Sequence, residues 1–105
     1  MNVGPDEAKA SLERGAVALD VRERWEWKRG HLDAALHIPL GQLGRRLEEL
    51  PRDTQIVVVC RSGNRSGSVV PPLRERGYDA VNLEGGLQAW RRAGLPLVRG
   101  GAASG

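Results

Sequence analysis

The sequence predicts an α/β domain organised on a mostly parallel sheet. Ile56-Val57-Val58-Val59 is an unbroken β-branched run, the pattern of a strand buried on both faces beneath covering helices. Other short apolar runs alternate with helix-patterned stretches, and no hairpin signal joins any pair of them. Strands connected in that way pair in parallel through right-handed crossovers.

Each element carries its own signature. Gly4-Pro5-Asp6-Glu7 reads as a helix start, with proline in the first turn and acids at the positive end of the dipole. Ala8, Leu12 and Ala16 mark its buried side, and Gly15 is its stop. Val17 to Val21 follows as a short buried strand. Asp20 interrupts it near the carboxyl end, and is expected to pair with Arg22 or to cap the next turn. Trp25 and Trp27 lie two residues apart and cannot fully share one helical face. One is expected against the sheet and the other over the surface. His31, just after Gly30, reads as a turn residue bonding backbone rather than as a catalytic base. Leu36-His37-Ile38 is a short strand closed by Pro39.

The second half alternates in the same way. Leu40, Leu43, Leu47 and Leu50 fall on one face of a single helix ended by Pro51. The stretch from about Ser66 to Arg76 is helical and stops at Gly77, but Pro71 and Pro72 cannot bond the carbonyls of Gly67 and Ser68. That helix is expected to start late or to kink. Ala80-Val81-Asn82-Leu83 is the last strand. Gly85-Gly86 opens a final helix with Leu87 and Trp90 facing inward, ended by Gly94 and Pro96.

A chain of 105 residues holds one core, placed in a single domain over residues 1–99. Residues 100–105 have nothing to bury and are expected to be a disordered tail. No apolar run is long enough to cross a membrane, and Met1 to Asp6 lack the features of a secretory signal. The single cysteine precludes an internal disulfide and fits a cytoplasmic location; it also precludes a metal centre built from several thiolates. The net charge of +3 alternates with acids along the chain, as in Arg22-Glu23-Arg24, so solvated helix faces are expected rather than a nucleic-acid interface. A mild positive field would still draw in a small anion.

The chemistry gathers at Cys60, where the buried strand ends. Ligands of parallel sheets bind beyond the carboxyl ends of the strands. Arg61, Ser62, Gly63, Asn64, Arg65 and Ser66 follow at once. Ser62, Gly63 and Asn64 suit a tight turn, and Ser66 reads as an N-cap for the next helix. A thiol in such a loop would lie among backbone N–H groups, at a helix N-terminus, flanked by Arg61 and Arg65. Each feature favours thiolate over thiol.

The run Cys60-Arg61-Ser62-Gly63-Asn64-Arg65-Ser66 resembles the active-site loop of the rhodanese family of sulfurtransferases. The resemblance extends through Leu19-Asp20-Val21-Arg22-Glu23, Gly30-His31-Leu32, His37-Ile38-Pro39 and Leu83-Glu84-Gly85-Gly86 with Trp90, Gly94 and Pro96. It implies a five-stranded parallel sheet with helices on both faces, its first strand near Asn2-Val3. It also implies that Cys60 forms a persulfide and that Arg61 to Ser66 cradle the sulfur and its donor. Two departures stand out: Ala34 where the family has glycine, and Pro71-Pro72 where it has helix formers.

The chemistry expected is transfer of sulfane sulfur from thiosulfate or a persulfide donor, including a protein, to cyanide or a thiol. Arg61 and Arg65 would attract the anionic donor. No cofactor or metal is called for. A phosphatase or arsenate reductase is the nearest rival, but such enzymes resemble one another in a Cys-x5-Arg loop, and Arg65 follows Cys60 after only four residues. A dithiol redox role lacks a second cysteine. A non-enzymatic docking or sulfur-relay module is the alternative from another class.

Overall fold

The computed structural model describes residues 1–100; the expected tail lies, from residue 101 on, outside the described residues. Five strands form one parallel sheet: β1 (Asn2–Val3), β2 (Val17–Asp20), β3 (Leu36–His37), β4 (Ile56–Val59) and β5 (Ala80–Leu83). Their spatial order is β1-β5-β4-β2-β3, so β4 is the central strand. Helices α1 (Pro5–Glu13), α2 (Arg24–Arg29), α3 (Leu40–Leu43), α4 (Asn64–Glu75) and α5 (Gly86–Arg92) fill the connections.

Side chains on a strand alternate between faces, and β4 therefore feeds two cores. Ile56, Val58 and Cys60 pack with Leu43, Val69, Val70 and Leu73 beneath α3 and α4. Val57 and Val59 pack with Ala8, Trp27, Leu87 and Trp90 beneath α1, α2 and α5. All four residues of β4 are fully buried. Each such side chain contributes roughly 1.5–3 kcal/mol of transfer free energy, as an upper bound.

Asp20 and Arg22 do pair. Arg22 Nη2 donates to Asp20 Oδ2 at 2.8 Å and to the Gly30 carbonyl at 2.7 Å, and both side chains are buried. Trp27 packs on the sheet side while Trp25 is 60% exposed. Trp27 stacks with both His31 and His37, at centroid separations of 3.6 and 4.7 Å. His31 Nδ1 lies 2.8 Å from the Trp27 carbonyl, in keeping with a backbone-bonding role.

Three local expectations require correction. The leucine-rich stretch is not one helix: α3 stops at Leu43, and a separate 3-10 turn spans Leu47–Glu49. Gly44 and the non-helical backbone of Arg46 break the run. Arg46 then bridges the two pieces, donating to Gln42 and Glu49. Of the two outcomes expected for the proline pair, the late start does not occur: α4 begins at Asn64 and continues past Pro71 and Pro72 to Glu75. Both prolines lie on the exposed side, while Val69, Val70 and Leu73 anchor the opposite side in the core. Burial of that side outweighs the missing backbone bonds. Ser66 is not an N-cap; Gly63 takes that position, and Ser66 lies fully buried inside the first turn.

Ala34 occupies a turn closed by Ala35 N–H to the Leu32 carbonyl, and has a φ of 61°. The turn is kept without glycine, at the steric cost of a Cβ in the left-handed region. Because Ala34 is exposed, Ala34→Gly removes that strain without opening a cavity. The entropy of glycine in the unfolded chain offsets part of the gain. A net stabilisation of up to about 1 kcal/mol, worth roughly 4–8 °C in Tm for a domain of this size, is expected in thermal and urea unfolding. A lower Tm would contradict the strain assigned to Ala34.

Candidate active site

β4 delivers Cys60 to the carboxyl edge of the sheet, between the ends of β2 and β5. The loop turns sharply there, because Gly63 adopts a φ of 97° that side-chain-bearing residues avoid. Its N–H then points back at the cysteine, 3.1 Å from Sγ. Ser66, in the first turn of α4, places Oγ 3.2 Å from the same sulfur. Cys60 is only 1% exposed, so the sulfur lies at the bottom of the loop.

The surroundings decide the protonation of Cys60. Burial pushes its pKa up, since a thiolate loses hydration. Donation from the Ser66 hydroxyl and from the N–H groups of Ser66, Gly63 and Ser62 outweighs burial, and the net shift is downward. The N-terminus of α4 adds its dipole in the same sense.

The loop carbonyls are held away from the sulfur. Leu87 N–H donates to the Cys60 carbonyl at 2.9 Å, and Gln88 N–H to the Arg61 carbonyl at 3.0 Å. These donors belong to the first turn of α5, whose N–H groups have no partner within the helix. A Cβ on Gly86 would lie 2.5 Å from the carbonyl oxygens of Cys60 and Arg61, so only glycine permits this approach.

The two arginines of the loop differ. Arg61 is exposed and has no ion-pair partner among the described residues. Arg65 is instead gripped by Glu26, with Nη1 to Oε1 at 2.8 Å and Nη2 to Oε2 at 2.9 Å. This fork ties the start of α4 to α2, where Glu26 also accepts from Glu23 N–H in a capping box. Arg65 holds the Glu26 carboxyl below the ordinary carboxylate range, against burial, which raises it. Ser62 and Asn64 are exposed, and Ser62 acts on the sulfur through its backbone N–H.

Two residues of this environment were not singled out from the sequence. One is Glu26, whose signal was the spacing of Glu23 and Glu26 at a helix start. The other is Asn82, a polar residue inside the apolar strand β5. Asn82 Nδ2 donates to Asn2 Oδ1 at 3.0 Å and to the Gly63 carbonyl at 3.2 Å. That fixes the amide, and turns Oδ1 toward the Ser66 hydroxyl. The Ser66 proton therefore has two acceptors, Cys60 Sγ and Asn82 Oδ1.

A parallel sheet carrying a single cysteine in a cradle of N–H donors at its central strand is the arrangement that the resemblance to rhodaneses implies. The chain belongs to the rhodanese family: the model described as "Rhodanese-like domain" matches residues 4–93. A protein named sulfurtransferase from Allochromatium vinosum is 41% identical over 83 residues, covering 78% of each chain. The crystal structure of a rhodanese-related protein from Thermoplasma volcanium superposes with a TM-score of 0.88 at 32% identity. That match covers 92% of this chain and 96% of the other. A thiosulfate sulfurtransferase from Pseudomonas aeruginosa gives a TM-score of 0.86 at 26% identity, over 97% of this chain but 20% of that one.

Removing the Ser66 hydroxyl should raise the Cys60 pKa, since the largest stabilising contact to the thiolate is lost. In the wild type, the acid limb of iodoacetamide alkylation should fall below the ordinary thiol range, and in Ser66→Ala it should move upward. Alkylation near neutral pH should slow several-fold. An unmoved pH profile would assign Ser66 to packing alone.

Proposed function

We propose that the protein is a sulfurtransferase that carries sulfane sulfur as a persulfide on Cys60. The observation that carries this reading is the sulfur itself, buried and ringed by donors from Gly63 and Ser66, with no acid or base side chain among the described residues bonded to it. Such a cradle stabilises an anionic sulfur without the proton relay that an ester hydrolase needs. The names of the Allochromatium and Pseudomonas relatives agree with it.

In the first half-reaction the Cys60 thiolate attacks the outer sulfur of thiosulfate or of a persulfide. The S–S bond of the donor breaks and its electron pair leaves with sulfite or with the donor thiolate. In the second, cyanide or a thiolate attacks the terminal sulfur of the Cys60 persulfide. Thiocyanate or a new persulfide departs, and the Cys60 thiolate is restored. No electron acceptor is consumed.

A phosphatase reading fits less well. Its arginine would have to embrace a tetrahedral oxyanion above the thiol, whereas Arg65 gives one N–H from each terminal nitrogen to Glu26 and is drawn toward α2. The loop is also one residue shorter than a Cys-x5-Arg loop.

Mass spectrometry after thiosulfate treatment should show one added sulfur on Cys60, removable by cyanide. Cys60→Ser should remain folded, take up no sulfur and lose turnover altogether. Thiosulfate-to-cyanide turnover surviving in Cys60→Ser would sink the persulfide mechanism.

Donor charge is met mainly by Arg61, because Glu26 already neutralises Arg65. Arg61→Ala should cut kcat/KM for thiosulfate about three- to tenfold, an exposed contact being partly screened. Glu26→Gln should act in the opposite direction and lower the thiosulfate KM, by freeing the Arg65 charge. Loading kinetics by stopped flow separate the two. A raised KM in Glu26→Gln would mean that the ion pair holds the loop in shape before it influences charge.

A further inference from the structure

One polar side chain of the apolar strand β5 reaches the Cys60 loop without touching the sulfur. Asn82, between Val81 and Leu83, is only 6% exposed. Burying an amide costs free energy unless its hydrogen bonds are met, and here each end is met by a different segment. Nδ2 donates to Asn2 Oδ1 at 3.0 Å and to the Gly63 carbonyl at 3.2 Å. Both partners only accept, so the amide cannot be turned over. Oδ1 is thereby held against Ser66 Oγ, 2.5 Å away, at the short end of O–H···O bonds.

A serine hydroxyl has one proton on an O–H that rotates to suit its partners. Ser66 Oγ has both Cys60 Sγ, at 3.2 Å, and Asn82 Oδ1 within reach. Neither a thiolate nor an amide oxygen has a proton to give, so the two compete for this one. The winner depends on what the sulfur carries. A thiolate offers a full negative charge, and a charge-assisted bond is roughly twice as strong as a neutral one. Once Sγ is bonded to a second sulfur, the charge sits on the outer atom and Sγ is a weak acceptor, like a thioether. The amide oxygen is then the better partner, and it is already in place.

We infer that Asn82 is a positioning residue for sulfur transfer, taking the Ser66 hydrogen bond while Cys60 carries sulfur and yielding it while Cys60 is a thiolate. The inference rests on the sulfur-transfer reading and adds a residue to it. On loading, the thiolate attacks the outer donor sulfur, the donor S–S bond breaks, and its electron pair leaves with sulfite. The Ser66 O–H bond stays intact; only its hydrogen bond turns, from Sγ to Oδ1. On discharge the turn reverses, and the hydroxyl meets the charge that returns to Sγ as the outer sulfur departs. The amide therefore favours the loaded state over the thiolate.

Charged groups near the loop do not share in this competition. Asp20 and Arg22 pair with each other at the end of β2, and Arg65 of α4 pairs with Glu26 of α2. Arg61 is exposed, and α5 meets the loop through Leu87 and Gln88, which do not titrate. The amide bonds none of these groups, so its removal leaves their pairing as it is.

Asn82→Ala removes the competing acceptor and leaves the loop its other holds. The Gly63 carbonyl keeps its bond from Gly67 N–H at 2.9 Å, and Asn2 is exposed to water. In unloaded protein the acid limb of iodoacetamide alkylation should move to lower pH, because the hydroxyl then serves the thiolate alone. A loosened loop would move it to higher pH, by taking donors from the sulfur. In a Ser66→Ala background the same substitution should leave the limb in place, since no proton remains to be shared. Stopped flow on the two half-reactions gives the second reading. Loading by thiosulfate should slow about three- to tenfold, while discharge by 2-mercaptoethanol should stay within about twofold or quicken. Asn82→Val, which suits a strand and also lacks the amide, replaces the alanine variant if that one fails to fold. An acid limb that stays or rises, a downward shift that persists without Ser66, or loading that slows no more than discharge would each overturn the inference. The alkylation arm needs no sulfur donor. A wild type that takes up no sulfur overturns the sulfur chemistry, and the acid limb still decides whether Asn82 competes for the Ser66 proton.

Discussion

The whole site depends on two hydrogen bonds that do not touch the sulfur. The carbonyls of Cys60 and Arg61 are taken by the N–H groups of Leu87 and Gln88. A peptide unit whose carbonyl is fixed outward has little freedom to turn its N–H elsewhere. The first turn of α5 thus helps decide which way the loop faces. Gly86 makes this possible, with a φ of 58° and no Cβ to collide with the loop. The first turn of α4 supplies its own N–H groups directly to the thiolate, so two helix beginnings converge on one loop with different tasks. The apolar run of β4 holds both in place, because it fixes where the loop begins.

Charge is divided just as clearly. The buried Asp20–Arg22 pair and the half-buried Glu26–Arg65 pair fasten the segments around the loop. Breaking either would leave a poorly solvated charge behind, which makes them more valuable as geometry than as net stability. Arg29, Arg61 and Arg91, which line the cleft beside the loop, are exposed and have no acidic partner among the described residues. Cations that build the site and cations that remain free for a ligand are different residues.

Much of this could be read from residue order. An unbroken β-branched run ending in cysteine located the central strand and the end that carries the candidate site. The run Ala80 to Leu83 and the glycines before Leu87 located the last strand and helix. What escaped were features set by contacts distant in sequence. Four leucines at helical spacing suggested one helix, yet Leu43 and Leu50 reach the same core through a broken backbone. Ser66 has the chemistry of an N-cap, but the positive φ of Gly63 starts the helix earlier and carries the hydroxyl to the sulfur. The ion pair of Arg65 with Glu26 was hidden because its partner lies 39 positions away. Pro71 and Pro72 looked disruptive because local bonding was visible and burial of the opposite face was not.

The side chain of Asn82 gives the edge of the sheet a mechanical link to the Cys60 loop. One amide nitrogen joins Asn2 of the outermost strand to the Gly63 carbonyl, while the oxygen of the same amide faces Ser66. β1 is two residues long and held on one side only. It is among the easiest parts of the sheet to peel away. Tension or a binding partner acting on that strand would be transmitted through a single side chain to the oxygen that competes with the thiolate for a proton. The amino-terminal edge is in that sense a tuning peg for the nucleophile, about 80 positions from the residue that holds the string.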